Sequence, residues 1–388
     1  MGENVYFDNA ATTKVDENVL KVMIPYFNES YGNASSIHSL GIEARHAIEA
    51  SREIVAKSLN ANKGEIIFTS GGTEGNNLAL KGAFFANPGK NHIIVSKIEH
   101  DCVLNSCKWL EEQGAEITYL NVNSEGFVDV EELEKSITDK TLLVSIIHAN
   151  NETGVIQDME KIGAVCKANK VLFHTDACQS FTKTELDVEK FNLDLVTINA
   201  HKLHGPKGVG ALYVRKGVKL VPLFHGGGHE KKLRSGTENV SGIVGFAEAI
   251  KFADKKYIRQ IEDLRDMLVS GVLKIPGVKI NGPLLEKTRN RICNMININF
   301  QNIEGEGVGS YLDSYGICVS TGSACTSNTL NPSHVLGAMG LSHLETNSSI
   351  RVSLSRFNTK KEVEYFLETL LGVVDKLREM SPVKLKNV

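Results

Sequence analysis

Asp194-Leu195-Val196-Thr197-Ile198-Asn199-Ala200-His201-Lys202-Leu203-His204-Gly205-Pro206-Lys207-Gly208 is the stretch that decides the fold. Its first half is a short apolar run that reads as a buried strand. Its second half, with Gly and Pro, reads as a turn. A lysine just past the C-terminal end of such a strand stands where open α/β sheets place their ligands. Partly desolvated there, its amine becomes a usable nucleophile toward a carbonyl. A solvated loop lysine fits the same residues, so the neighbouring segments have to decide.

Outward from this stretch, strand and helix patterns alternate. Residues 66–68, 92–95, 117–120, 142–147 and 171–173 read as strands. Residues 73–85, 102–112, 130–137 and 161–167 read as the helices between them. Strands separated by single helices imply a mainly parallel sheet with right-handed crossovers. Residues 208–214 read as one further strand, of either direction. Before the alternation begins, Asp16 looks like a helix N-cap and residues 39–59 form a long amphipathic helix. After it, residues 238–264 read as helical with few breaks. Met295-Ile296-Asn297-Ile298-Asn299-Phe300 alternates like a half-exposed strand, and residues 349–354 read as another. Thr359-Lys360-Lys361-Glu362 is a capping box that opens a final amphipathic helix.

The 388 residues, 41% of them hydrophobic, suffice for two domains in one chain. A net charge of −3 gives no basic face for nucleic acid. No apolar run is long enough to span a membrane, and Met1-Gly2-Glu3-Asn4 lacks the pattern of a signal peptide or a myristoylation site. The seven cysteines are scattered without a Cys-x-x-Cys pair. A cytoplasmic protein with reduced thiols is expected.

Several turns after predicted strands carry chemistry. Ser70-Gly71-Gly72-Thr73-Glu74-Gly75 joins a strand to a helix, where small residues free backbone N–H groups for an anion; a plain glycine turn would look alike. It is not a Walker loop. Asp176 in His174-Thr175-Asp176-Ala177-Cys178-Gln179 ends a buried strand. A carboxylate there either caps a helix or pairs with a protonated pyridine nitrogen. His100 and Asn151 follow two more strands. A strand-end lysine, an anion cradle and a buried carboxylate are together what pyridoxal phosphate (PLP) requires, and they fall on one edge of one sheet. His225-Gly226-Gly227-Gly228-His229 could suggest zinc, but three glycines disfavour the helix that such spacing needs, so no metal site is expected. Cys325, in the small polar run Ser320-Thr321-Gly322-Ser323-Ala324-Cys325-Thr326-Ser327-Asn328, sits in what reads as a mobile loop. It is either a nucleophile or a surface thiol. Arg351, between Ile350 and Val352, is either a carboxylate clamp or half of a structural ion pair.

Taken together, Asp8-Asn9-Ala10-Ala11-Thr12-Thr13, Ser70-Gly71-Gly72-Thr73-Glu74, Glu99-His100, Asn150-Asn151-Glu152, Asp176-Ala177-Cys178-Gln179, His201-Lys202, Arg234-Ser235-Gly236-Thr237, Gly322-Ser323-Ala324-Cys325 and Ser349-Ile350-Arg351 resemble the cysteine desulfurases of the NifS/IscS type. These are class V aminotransferases that use PLP. The resemblance runs over nearly the whole chain and implies an α/β protein of PLP fold type I. Residues 15–255 would form a large domain with a mainly parallel seven-stranded sheet. Residues 1–14 and 256–388 would form a smaller α+β domain carrying the cysteine loop. Lys202 would hold PLP as a Schiff base and move protons, Asp176 would pair with the pyridine nitrogen, and His100 would stack on the ring. Gln179 and Asn151 would lie near the phenolic oxygen. Gly72, Thr73, Asn199 and His201 would hold the phosphate, joined by Thr237 of the partner subunit of a homodimer. Arg351, with Asn151, would bind the carboxylate of L-cysteine. Cys325 would accept the sulfur as a persulfide, and would also be the place for any transient iron–sulfur contact.

The family resemblance further implies a sulfur-acceptor protein, such as an iron–sulfur scaffold, because the Arg-x-Gly-His-His-Cys-Ala motif of the other desulfurase group is absent. Asn199 stands where the family usually has a phosphate-binding serine. Ala34 and Lys14 replace prolines, and Lys231-Lys232 replaces Arg-Gly. Two alternatives stay open at this point. One is another PLP enzyme, a transaminase or selenocysteine lyase; Cys325 speaks against the transaminase. The other is a non-catalytic paralogue, against which Lys202, Asp176 and Cys325 speak.

Overall fold

The computed structural model describes residues 4–283, 290–321 and 332–380. Along the chain, β1 (Val5–Tyr6) stands outside the main sheet. That sheet contains β2 (Ile66–Thr69), β3 (His92–Ser96), β4 (Glu116–Leu120), β5 (Thr141–Ser145), β6 (Leu172–Asp176), β7 (Leu195–Asn199) and β8 (Gly210–Val214). Their order is β2-β8-β7-β6-β5-β3-β4. The run from β7 to β4 is parallel, and β8 is antiparallel to both β7 and β2. Every residue of β2, β3, β5, β7 and β8 is buried, as strands covered on both faces require. Only β4, at the edge, is largely open.

Helices begin where polar side chains meet their first N–H groups. Asp16 accepts from Asn18, Asp129 from Glu131 and Asp158 from Lys161. The helix Ser39–Ser58 buries Ala44, Ile48, Ser51 and Val55, the face that its periodicity marks. The helical stretch expected over 238–264 is divided into Val240–Lys251 and Lys255–Val272. Asp254 causes the division: its carboxylate accepts from the Lys256 N–H and starts a new helix.

In the second half, β9 (Val278–Asn281), β10 (Met295–Phe300) and β12 (Ser349–Ser353) form an antiparallel sheet with β10 at its centre. A short β11 (Ile317–Cys318) pairs in parallel with β1. The alternation in Met295–Phe300 predicts a half-exposed strand, yet all six residues are buried. Ile296, Ile298 and Phe300 pack with Ile261, Leu268 and Phe366 of the covering helices. The other face is closed by polar partners. Asn297 accepts from Asn281 and donates to the Glu152 carbonyl, and Asn299 donates to the Glu345 carbonyl. Buried amides are tolerated once they are bonded. The capping box forms as read, with Thr359 and Glu362 bonding reciprocally.

The N-terminal arm ties the two sheets together. Phe7 packs edge-on against Phe366, with ring centroids 5.6 Å apart. The Ala10 N–H donates to Ser353 Oγ at 2.9 Å. Thr13 then donates through its hydroxyl to the His201 carbonyl at 2.8 Å. The arm therefore runs from the smaller sheet to the turn that carries Lys202.

Candidate active site

The turn after β7 is fixed from two sides. The Leu203 and Gly205 N–H groups return to the Ala200 carbonyl, and Thr13 accepts from the His204 N–H while donating to His201. A Cβ on Gly205 would lie 2.9 Å from the Ala200 carbonyl oxygen, so the turn closes only with glycine. Lys202 is thereby set at the C-terminal edge of the sheet, between strands that run parallel on one side and antiparallel on the other.

Asp176 ends the adjacent strand and is buried. Burial alone would raise its pKa. The charges of His100 and Lys202, the Cys178 N–H at 2.9 Å and the Asn76 amide at 2.6 Å outweigh burial and hold the carboxyl below its usual range. Asp176 is thus a preformed buried anion, the property that pairing with a pyridinium nitrogen requires.

The turn before the helix Gly72–Ala86 faces it. Gly71 has φ of +151°, and a Cβ on Gly72 would come within 2.7 Å of Cys178 Sγ. The first N–H groups of this helix lack intrahelical partners, so they are available to an anion. Thr73 is exposed at this helix start. The Asn199 amide nitrogen would lie 3.7 Å from that Gly72 Cβ, and its Oδ1 is buried without a partner. His201 shares a bond of 3.2 Å with Thr12 Oγ1. Burial and the charges of Lys202, Lys207 and Lys183 push its pKa down to about 4, so it serves as a neutral donor or acceptor.

His100 has a second role that the sequence does not announce: it is the N-cap of the helix Asp101–Glu112. Its Nδ1 accepts from the Cys102 N–H at 3.1 Å, which assigns the ring proton to Nε2. Burial lowers its pKa, and the pull of Asp176 only partly offsets this. The Cys102 thiol lies 3.1 Å from the same nitrogen, and burial pushes its own pKa up to about 12.

Arg351, on β12, spans the two sheets. Its Nη1 donates to the Asn151 carbonyl at 2.7 Å and its Nη2 to the Asp8 carboxylate at 2.8 Å, while its Nε is buried without a partner. Gln179 donates to the Ala10 carbonyl at 2.8 Å, and its Oε1 is likewise unpartnered, as is Asn151 Oδ1. Buried polar atoms left open on Gln179, Asn151, Asn199 and Arg351, beside an ionised carboxylate and an open helix N-terminus, fit a polar, phosphate-bearing cofactor of PLP type.

One expected residue is not brought into this cluster. Thr237 is exposed and forms no hydrogen bond with the described residues of the site. Cys325 lies outside the described residues. The residues that flank its segment do reach the site. Ser320 bridges to Arg351 through paired backbone bonds of 3.1 and 2.7 Å, and Ser333 donates to Glu152 at 2.5 Å. Conversely, Asp8, Asn76 and Cys102, none of them an expected site residue, contact Arg351, Asp176 and His100 respectively. Asn76 had one sequence signal, a polar side chain on the buried face of a helix.

Residues 5–366 match the aminotransferase class-V family. The chain is 48% identical over 383 residues to the cysteine desulfurase IscS of Methanosarcina thermophila, covering 98% of this chain and 94% of the relative. It is 46% identical over 388 residues to the cysteine desulfurase IscS of Clostridium botulinum, covering 99% and 97%. Among solved structures it resembles a NifS-like protein with a TM-score of 0.90 at 43% identity, over 96% of this chain and 100% of that one. It also resembles SspA in complex with cysteine, with a TM-score of 0.81 at 39% identity, over 92% and 100%.

Proposed function

Because the chain belongs to the class V aminotransferase family and is a PLP-dependent cysteine desulfurase, we propose that Lys202 carries the cofactor, Arg351 receives the carboxylate of L-cysteine and Cys325 takes the sulfur. The observation that carries this assignment is the Ser320–Arg351 bridge. The chain leading to Cys325 departs from the backbone of the one arginine whose guanidinium links Asn151 to the smaller sheet.

When bound, PLP supplies an electron sink that weakens the bonds at the α-carbon of an attached amino acid. The chain's own groups do the rest. Asp176, held ionised, keeps the ring nitrogen protonated. The helix start at Gly72 and Thr73, with the Asn199 amide and neutral His201, receives the phosphate. His100, with Nδ1 engaged by the Cys102 N–H, would have its Nε2–H free for the ring and the substrate. Lys202 would hold the cofactor through Nζ, and the same amine would move the α-proton of the substrate. The Cys325 thiolate attacks the substrate sulfur: the carbon–sulfur bond breaks, a sulfur–sulfur bond forms, and the carbon keeps the electron pair and takes a proton. L-Cysteine and a thiol thus give L-alanine and a persulfide.

The persulfide sulfur then passes to an acceptor protein of iron–sulfur cluster or thio-cofactor assembly. The working species is a homodimer in which Thr237 of the partner subunit completes the phosphate site. The exposure of Thr237, and of the apolar Leu20, Ile24, Phe27 and Ile37, supports this. Light scattering that found an active monomer retaining PLP would refute it. The protein works in the cytoplasm. Six free thiols among the described residues agree with this, and none of the described helices is long and apolar enough to cross a membrane. The reaction itself is tested by a single turnover with L-cysteine. Alanine and protein-bound persulfide are expected in equal amounts, and alanine without persulfide would refute the sulfur transfer.

A further inference from the structure

Lys183 is a half-buried cation with no counter-ion among the described residues. Its Nζ donates to two backbone carbonyls, those of Gln179 at 2.9 Å and Lys202 at 3.1 Å. No other hydrogen bond to the Lys202 carbonyl forms among the described residues. The two carbonyls belong to different parts of the site. One lies in the turn that follows Asp176, the other in the turn that presents the PLP lysine.

The local backbone is shaped for this contact. Thr182, immediately before Lys183, has φ of +66°. A β-branched residue enters that region only where its surroundings enforce it. The Lys183 and Thr184 N–H groups both return to the Ser180 carbonyl, at 2.8 and 3.1 Å. The turn is closed tightly, and the lysine side chain runs back over it to Gln179 and across to Lys202. On its open side lies a cavity of about 60 Å³, bordered by Phe252, Tyr257, Cys293 and Arg356.

We propose that Lys183 is a positioning residue for the desulfurase reaction: it ties the main chain beneath Lys202 to the turn after Asp176 and so fixes the pivot from which the Lys202 side chain reaches cofactor and substrate. This rests on Lys202 being the PLP lysine. A pivot matters because small misplacements of a reacting group cost rate steeply. Lys202 is the charged group that acts on Lys183, the nearby Cys178 and Cys293 being held as neutral thiols by burial, and Lys183 acts in turn on His201 and His204. Burial brings the Lys183 pKa down to about 8, so near neutrality the ammonium form that donates to both carbonyls still prevails.

The test compares wild type with Lys183→Met and Lys183→Arg, each loaded with PLP. Lys183→Met is expected to keep bound PLP, because the phosphate contacts lie elsewhere. Its visible circular dichroism per bound PLP, which reports cofactor tilt, should fall. Its kcat should fall roughly tenfold or more, with KM for L-cysteine within about threefold, since two charge-assisted bonds at the pivot are lost. Lys183→Arg, still able to reach both carbonyls, should restore most of both signals. Lys183→Gln, too short to hold both, should show the same losses in smaller size and carries the test if Lys183→Met does not fold. A merely structural lysine would lower the melting temperature and leave the dichroism and kcat untouched. That result in any folded Met or Gln variant would overturn the proposal. Borohydride reduction of wild type, with the labelled peptide mapped, separates the two assignments. A label on a lysine other than Lys202 would overturn both. A label on Lys202 with wild-type dichroism and kcat in the variants would overturn the role of Lys183 alone.

Discussion

The Asp8 carboxylate sits 2.8 Å from Nη2 of Arg351, so a carboxylate already occupies part of the guanidinium assigned to the substrate. The two residues are 343 positions apart in sequence and meet because the N-terminal arm crosses β12.

A substrate carboxylate arriving at Arg351 therefore meets a competing anion. Asp8→Asn keeps the shape and a hydrogen-bond acceptor while removing the charge. KM for L-cysteine is expected to fall by roughly two- to fivefold with little change in kcat, the scale of a partly exposed ion pair. Arg351→Lys loses the forked geometry and should raise KM about tenfold or more. Steady-state alanine production reads both, and a higher KM for Asp8→Asn would show that Asp8 orients Arg351 instead of competing for it.

Asn199 brings an amide to the phosphate end of β7 and leaves its Oδ1 buried and unpartnered. Asn199→Ala removes the donor and should weaken PLP binding about tenfold, the worth of one bond to a charged group. Asn199→Ser supplies a hydroxyl donor and removes the stranded oxygen, so its PLP affinity should equal or exceed that of wild type. Titration of the apoprotein with PLP decides. Unchanged affinity in Asn199→Ala would place the amide outside the phosphate site.

Glu99, beneath His100, accepts from Ser96 Oγ at 2.5 Å and the Ile147 N–H at 2.7 Å, and burial raises its pKa to about 8. Between about pH 4.5 and pH 8 the unfolded chain releases this proton while the folded chain keeps it, so Glu99 makes stability fall as pH rises. The buried His148, His174 and His204 and the half-buried His201, held near 4 chiefly by desolvation, act in the opposite sense. Between about pH 4 and 6.5 their contribution makes stability rise with pH. Glu99→Gln leaves the histidines in place and mimics the protonated acid. Its stability in urea should therefore gain on wild type steadily from about pH 5 to about pH 8. Parallel stability curves would mean that Glu99 is ionised in the folded protein.

The parallel sheet was legible because most of its strands are buried on both faces and read as apolar runs, with a helix between each pair from β3 to β6. Lys202 and Asp176 stood out because both follow such runs directly. Asn297 and Asn299 misled, since alternation signals an exposed face only where water reaches it, and here Glu152 and Glu345 supply carbonyls instead. His100 as a helix cap ran against the usual preference for Ser, Thr, Asp and Asn. The contacts of Asp8 with Arg351, of Asn76 with Asp176 and of Lys183 with Lys202 join elements that the fold alone brings together. No local spacing encodes them. Asn76 and Asp176, for example, lie 100 residues apart.

The most direct test of the sulfur-transfer assignment is Cys325→Ala, loaded with PLP and incubated with L-cysteine, with alanine and protein-bound sulfur measured together. Lys202, Asp176 and Arg351 are intact in this variant, so it should keep the wild-type cofactor spectrum and still bind L-cysteine. It should release almost no alanine and carry no persulfide, because no thiolate remains to take the substrate sulfur. Cys318→Ala, the control, should turn over normally. Wild-type alanine production by Cys325→Ala would contradict the mechanism.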